Sequence, residues 1–270
     1  MSKMFDSLRR AEADRKRKVT ENGPTPVLER VDVGRVEPGA ITRESGRTVP
    51  LRDPSIPIAA LRGELLRELG ILRNSLESRL EANTKRVLLF TSAMHDEGVT
   101  TLAVAYSRLL AMHNHERVLL VELNARRPAL GERLGIGAGD GVTHYFAESR
   151  SLSGLIRHLP SDGFDVLRVG EPDPTQIQIH LEKLFPRLRE EALKSYDTII
   201  VDAPPIVLSP ETPPIAPLVD GVVIVVLSGK TKRETVQRSI NLIQQFNGRV
   251  LGLVLNRKRY FIPDFIYRRL

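Results

Sequence analysis

The chain contains no cysteine. Disulfides, iron–sulfur clusters and thiolate zinc sites are therefore excluded, and a reducing cytoplasm suits such a composition. Long hydrophobic runs are missing too. The stretch Gly221-Val222-Val223-Ile224-Val225-Val226-Leu227 has the length of a strand, well short of a bilayer span. The N-terminus is charged within its first three residues and has no apolar signal-peptide core. A soluble, cytoplasmic protein is expected from these absences.

Positive charge is present, and its placement is informative. The formal net charge is +7, yet residues 1–18 and residues 256–270 each carry +4, leaving the rest of the chain at −1. Nucleic-acid binding calls for a basic groove on the folded body, so no nucleic-acid partner is expected. Basic ends suit an anionic membrane surface or an acidic partner, and would place the protein peripherally at the inner face of the cell membrane. Solvated tails that keep the protein soluble are the plainer reading of the same residues.

Residues 1–18 place Met1, Met4, Phe5, Leu8 and Ala11 at helical spacing opposite a basic face, which predicts a short amphipathic helix. Residues 19–55 mix Pro, Gly, Val, Thr and charge without period and read as a flexible linker. Leu61, Leu65, Leu69, Leu72, Leu76 and Leu80 trace one apolar stripe, predicting a long helix over 56–80 with a bend at Gly70. The domain is taken as residues 56–270, including that helix and a basic tail over 256–270. Apolar strands are expected at Val87–Phe90, Val118–Leu123, Phe164–Val169, Thr198–Ala203, Gly221–Leu227 and Arg249–Asn256. Helical patterns lie near 100–113, 151–159, 176–195 and 232–246. Strands apolar on both faces and separated by helices give an α/β fold with a mostly parallel, doubly wound sheet.

Three segments converge on the carboxyl edge of that sheet, where ligands bind in such folds. After the first strand comes Thr91-Ser92-Ala93-Met94-His95-Asp96-Glu97-Gly98-Val99-Thr100-Thr101, followed by an alanine-rich helix. Strand, tight loop and helix is the layout of a phosphate-binding P-loop, which holds phosphates with backbone N–H groups and the helix dipole. The lysine that should reach the β- and γ-phosphates is replaced by Val99. The second segment is Val118-Leu119-Leu120-Val121-Glu122-Leu123-Asn124-Ala125-Arg126-Arg127-Pro128. In the third, Tyr196-Asp197-Thr198-Ile199-Ile200-Val201-Asp202-Ala203-Pro204-Pro205, Asp202 ends an apolar strand where a carboxylate can hold a magnesium-bound water.

In order and spacing these segments resemble the cytoplasmic domain of bacterial tyrosine kinases (BY-kinases), within the deviant P-loop group of MinD- and ParA-like ATPases. The resemblance covers roughly residues 56–270 and extends to Asp220-Gly221-Val222-Val223, to Ser228–Glu234 and to Val250–Arg257. It implies a P-loop NTPase fold and ATP with Mg2+ as cofactors, if any nucleotide binds. It assigns Ala93, Glu97, Gly98, Val99, Thr100, Thr101 and Arg126 to the nucleotide, and Thr100 and Asp202 to the metal. Catalytic positions fall on Asp202, Glu122 and Asn124. A membrane polysaccharide co-polymerase or a cognate active kinase is implied as partner, with self-association, in capsule or exopolysaccharide biosynthesis and export.

Departures from the family fall where the chemistry is. The family usually shows Pro-Gly-Glu-Gly-Lys-Ser/Thr-Thr at His95–Thr101, and aspartate at the positions of Glu122 and Asn124. Asparagine cannot serve as a base, the extra methylene of Glu122 displaces its carboxylate, and Asp96 adds negative charge to an anion-binding loop. Losing one charged donor weakens binding by about 1.5–3 kcal/mol and slows a step that develops charge by on the order of 10²–10³. A degenerate kinase acting as a regulatory or binding module is therefore expected. The rivals are an active ATP-dependent tyrosine autokinase and a ParA/MinD-like positioning ATPase. Of the family's Glu-x-x-Arg-x-x-Arg oligomerisation motif, aligned with Arg67, Gly70 and Arg73, only the last position survives.

Tyr260 and Tyr267 are the two candidate phosphoacceptors in the tail. Interleaved Phe261, Phe265 and Ile266 favour reading them instead as aromatic anchors of a basic amphipathic end. His95, His113 and His115 offer only a weak metal-site signal, since surface histidines near a turn are commoner. Lys230-Thr231 mimics part of a P-loop without the glycine loop before it, and Thr231 is expected to cap the helix starting near 232.

Overall fold

The computed structural model of the protein describes residues 27–28, 63–81, 84–137, 139–148, 150–171 and 174–257. The expected N-terminal helix, most of the linker, residues 56–62 and the tail with Tyr260 and Tyr267 lie outside the described residues.

The chain runs β1 (Val27–Leu28), α1 (Gly63–Glu77), β2 (Arg86–Ser92), α2 (Val99–Asn114), β3 (Val118–Glu122), α3 (Leu130–Arg133), α4 (Val142–Glu148) and α5 (Leu152–Leu155). It continues through β4 (Arg157–Leu159), β5 (Phe164–Leu167), α6 (Pro174–Ser195), β6 (Thr198–Asp202), a 3-10 turn (Pro213–Leu218), β7 (Gly221–Leu227), α7 (Arg233–Gln245) and β8 (Val250–Asn256). Among the described residues the strands form one sheet in the order β1-β8-β7-β2-β6-β3-β5-β4. Every pairing is parallel except β4 with β5. Val27–Leu28, inside the segment expected to be linker, pairs with Leu253–Val254 at the β8 edge.

Alternation along each strand sorts the core into two layers. Leu88, Phe90, Leu120, Ile200, Val223 and Val225 face α1 and α2, packing with Leu69, Leu72, Leu76, Leu102 and Leu110. Val87, Leu89, Val121, Ile199, Val201, Val222 and Ile224 face α6 and α7, packing with Ile177, Leu181, Phe185, Leu188 and Ile243. Leu69, Leu72 and Leu76 are fully buried; each such side chain contributes about 2 kcal/mol of transfer free energy. Continuing the alternation past Val201 and Val121 places Asp202 and Glu122 on the α2 face of the sheet. Their backbones lie side by side, since Glu122 registers with Asp202 and Asp202 with Phe90.

Two expectations are corrected. The apolar spacing of Leu152, Leu155, Ile156 and Leu159 fits a helix over 151–159, but α5 stops at Leu155 and Arg157–Leu159 form an antiparallel edge strand. A tight turn through Gly163, at φ 75°, returns the chain to β5 and makes the pairing local. The described part of the long helix is α1, which passes through Gly70 without interruption and ends at Glu77.

Candidate nucleotide-binding cleft

The carboxyl ends of β2 and β6 meet where the chain order reverses, with later strands β7 and β8 added beyond β2 and β3 and β5 beyond β6. A cleft of about 160 Å3 opens there, lined by residues that include His95, Gly98, Val99, Thr100, Asn124, Arg127, Arg133 and Asp202. Helix α2 starts at Val99 with no side-chain cap and no acidic residue in its first turn. The first amides of an α-helix have no partner within it, and they carry the positive end of the dipole. The mouth of α2 thus presents uncapped amides and the positive end of a dipole, with Val99 where the expected P-loop has lysine.

The loop is fastened from within, and Glu97 does most of it. This carboxylate is 2% exposed. Its Oε2 accepts the backbone N–H groups of Ala93 at 2.8 Å and Met94 at 2.9 Å. Its Oε1 accepts the Leu227 N–H at 3.2 Å and the Thr231 hydroxyl. Asn256 Nδ2 donates to the Glu97 carbonyl at 2.8 Å. Next to it Gly98 adopts φ 92°, and a Cβ there would run into Asn256 Nδ2; only glycine fits both the dihedral and the space. Thr231 is therefore not the cap of α7, whose N-cap position is Lys232 without a side-chain bond. The long-range tie from Glu97 to Thr231 and Asn256 was missed by sequence reasoning, because no local spacing signals it.

Asp202 is the most exceptional group at the site. It is 1% exposed, and neither carboxylate oxygen has a hydrogen bond of acceptable geometry. Burial pushes its pKa up to about 7; the nearby Thr100 hydroxyl and Arg133 pull it down, and Glu122 adds to the rise. A buried carboxylate left without partners is rare and costly. Asp202 with Thr100 at the helix mouth is a donor set of hard oxygens that fits a magnesium ion.

Glu122 faces away from this chemistry. It is fully buried, and its Oε1 accepts the Ala129 and Leu130 N–H groups at 2.7 and 2.9 Å, while Oε2 accepts the Val169 N–H at 3.3 Å. The extra methylene carries the carboxylate past the cleft to the start of α3. Asn124 does line the cleft, and its Oδ1 accepts the Arg127 N–H at 3.2 Å, closing the loop after β3. Arg126, expected at the nucleotide, pairs with buried Glu211 at 3.4 Å and is not among the cleft-lining residues. Ala93 and Thr101 do not line the cleft either. Asp96, at φ 63°, pairs with Arg127 at 3.5 Å at the mouth, an exposed contact that solvent screens. Arg133 lines the cleft and was not singled out from the sequence. Arg73, the surviving position of the oligomerisation motif, bonds Glu77 at 2.8 Å and Asn114 at 2.9 Å within the same chain. Among the described residues, no three His, Cys, Asp or Glu side chains are grouped to hold a metal.

Comparison with known proteins sets this geometry in context. The tyrosine-protein kinase YwqD of Bacillus subtilis is 25% identical over 70% of this chain and 79% of its own length. The tyrosine-protein kinase etk of Escherichia coli is 25% identical over 68% of this chain. The kinase domain of the Escherichia coli enzyme superposes with a TM-score of 0.73, covering 88% of this chain and 94% of that domain at 22% identity. In sequence and in fold the chain is thus similar to bacterial tyrosine kinases. No family model matches it. The chain spans only 25% of the length of the full Escherichia coli protein. The wider P-loop fold is shared with the cobyrinic acid a,c-diamide synthase of Mycobacterium smegmatis, solved with a bound ATP analog and magnesium (TM-score 0.51, 22% identity, 64% of this chain and 72% of that one). No helix among the described residues is long and apolar enough to cross a membrane.

Proposed function

We propose that this chain is a degenerate BY-kinase, a regulatory or binding module that holds nucleotide weakly and transfers no phosphoryl group. The observation that carries the reading is the disposition of Glu122 together with Val99. One carboxylate of the catalytic set is bonded to the Ala129 and Leu130 amides, and the helix mouth presents an isopropyl group where an ammonium should meet phosphates. Asn124 adds an amide in place of a base. What remains can bind but is poorly equipped to react: uncapped amides of α2, Thr100, and the partnerless Asp202 carboxylate.

Thr100 and Asp202 would hold Mg2+, which when bound neutralises charge on the phosphates. Thr100, Gly98 and the first α2 amides would orient the phosphate chain. The module would dock on a membrane polysaccharide co-polymerase or on an active kinase of the same family, at the inner face of the cell membrane, using its basic ends. Its setting would be capsule or exopolysaccharide assembly.

A second reading has one observation in its favour. Asp202 keeps both oxygens unclaimed, as an active metal-binding kinase requires, so an autokinase phosphorylating Tyr260 and Tyr267 is the rival. Calorimetric titration with magnesium-ATP, followed by phosphotyrosine immunoblotting, separates them. The module predicts a dissociation constant of tens of micromolar or weaker and no phosphotyrosine. Tight binding with labelled Tyr260 or Tyr267 would overturn it.

A further inference from the structure

We propose that Arg133 supplies the phosphate-binding positive charge that Val99 no longer provides. The inference rests on the reading of the cleft as a nucleotide site, and deepens it by naming the side chain that grips the phosphates.

Four observations converge. Arg133 ends α3 and lines the same cleft as Gly98, Val99 and Thr100, so it stands across from the amide-rich mouth of α2. Its guanidinium has no hydrogen bond or ion pair among the described residues, and its charge acts on Asp202 inside the cleft. The other two arginines of this region are engaged, Arg127 with Asp96 at 3.5 Å and Arg126 with Glu211 at 3.4 Å. Arg133 is therefore the uncommitted cation at the site. Finally, α3 is held in place by Glu122, through the Ala129 and Leu130 amides. The same substitution that withdraws a carboxylate from the cleft thus fixes the helix that carries Arg133 into it.

Chemically the exchange is apt. A lysine on the loop offers a compact charge from one end of the phosphate chain, whereas a guanidinium offers a planar fork that meets two phosphate oxygens at once. It reaches from the opposite wall, so the phosphates would lie between the α2 amides and Arg133. Such an arrangement holds a di- or triphosphate without placing a charge where the in-line transfer needs it, which is consistent with binding outlasting catalysis.

The test uses the full chain and magnesium-ATP as probe, in calorimetric titrations of the wild type, Arg133→Ala, Arg133→Lys, Val99→Lys and the double variant Val99→Lys/Arg133→Ala. Because Arg133 is exposed and unbonded, thermal melts of Arg133→Ala and Arg133→Lys are expected to match the wild type. The expected result is a loss of affinity of tenfold or more in Arg133→Ala, a smaller loss in Arg133→Lys, and recovery in the double variant, which only a charge role produces. Wild-type binding with Arg133→Ala within twofold of it overturns the role of Arg133 and leaves the nucleotide cleft standing. Binding by Val99→Lys but not by the wild type also overturns it. If neither binds, the nucleotide reading falls with it.

Discussion

Glu122 Oε1 accepts the backbone N–H of Ala129 at 2.7 Å, and this single bond ties the end of β3 to the start of α3. With the companion bonds to Leu130 and Val169 it makes the carboxylate a structural acceptor inside the sheet edge. Replacing it with glutamine turns one acceptor into a donor facing N–H groups. Glu122→Gln is expected to cost about 1–3 kcal/mol of stability, measured by urea unfolding. An unchanged urea midpoint with lost nucleotide affinity would return Glu122 to the site.

Two glycines should respond in opposite directions. Gly98→Ala meets both a φ of 92° and the Asn256 amide, so a loss of about 1–2 kcal/mol is expected. Gly70 lies in the interior of α1 with nothing near its missing Cβ, and Gly70→Ala should stabilise by about 0.5–1 kcal/mol. Chemical denaturation of both variants checks the pair; a stabilising Gly98→Ala would contradict the loop geometry.

Asp202 makes the fold sensitive to pH. Its pKa rises from 3.8 unfolded to about 7 folded, chiefly by burial. Between those values the native state keeps a proton that the unfolded chain has released, so this stability is complete below pH 4 and lost as pH rises through 7. Asp202→Asn should remove that dependence and raise the melting temperature at pH 8, by about 2–4 °C for each kcal/mol recovered. Melts of both proteins from pH 5 to 8 in chelator would show it; parallel curves would refute it.

Asp197 acts with the opposite sign. The Arg117 guanidinium, 2.6 Å away, holds its pKa down at about 2. Its stabilisation is present above pH 4 and lost as pH falls through 2. Because the Arg117 side chain is 59% exposed, solvent screens the pair and the effect is small. Asp197→Asn should lose part of the acid-unfolding slope between pH 4 and 2, and the difference should shrink in high salt.

Strands and major helices were legible because their periods are strong. The six expected strands coincide with β2, β3, β5, β6, β7 and β8 to within two residues, and α2, α6 and α7 fall where the apolar stripes place them. Edge elements were not. β4 hides inside a helical spacing, and β1 is two residues long with nothing periodic about it. At the cleft, local motif reading located Thr100, Asn124 and Asp202. It could not foresee where long side chains end: Arg126 turns to Glu211, Glu122 to α3, and Arg133 comes in from a four-residue helix. Those outcomes depend on contacts between residues far apart in sequence, which single-chain patterns do not encode.

The Glu97–Thr231–Asn256 tie has a consequence for signalling. A ligand shifts a conformational equilibrium only as far as it prefers one state over another. Here the loop before α2 is already cross-linked to the ends of β7 and β8 by the protein's own groups, so a ligand entering the cleft would meet a loop whose shape is set from within. A partner reading that end of the sheet would meet the same face whether nucleotide is abundant or scarce. The protein would then report its own presence and abundance.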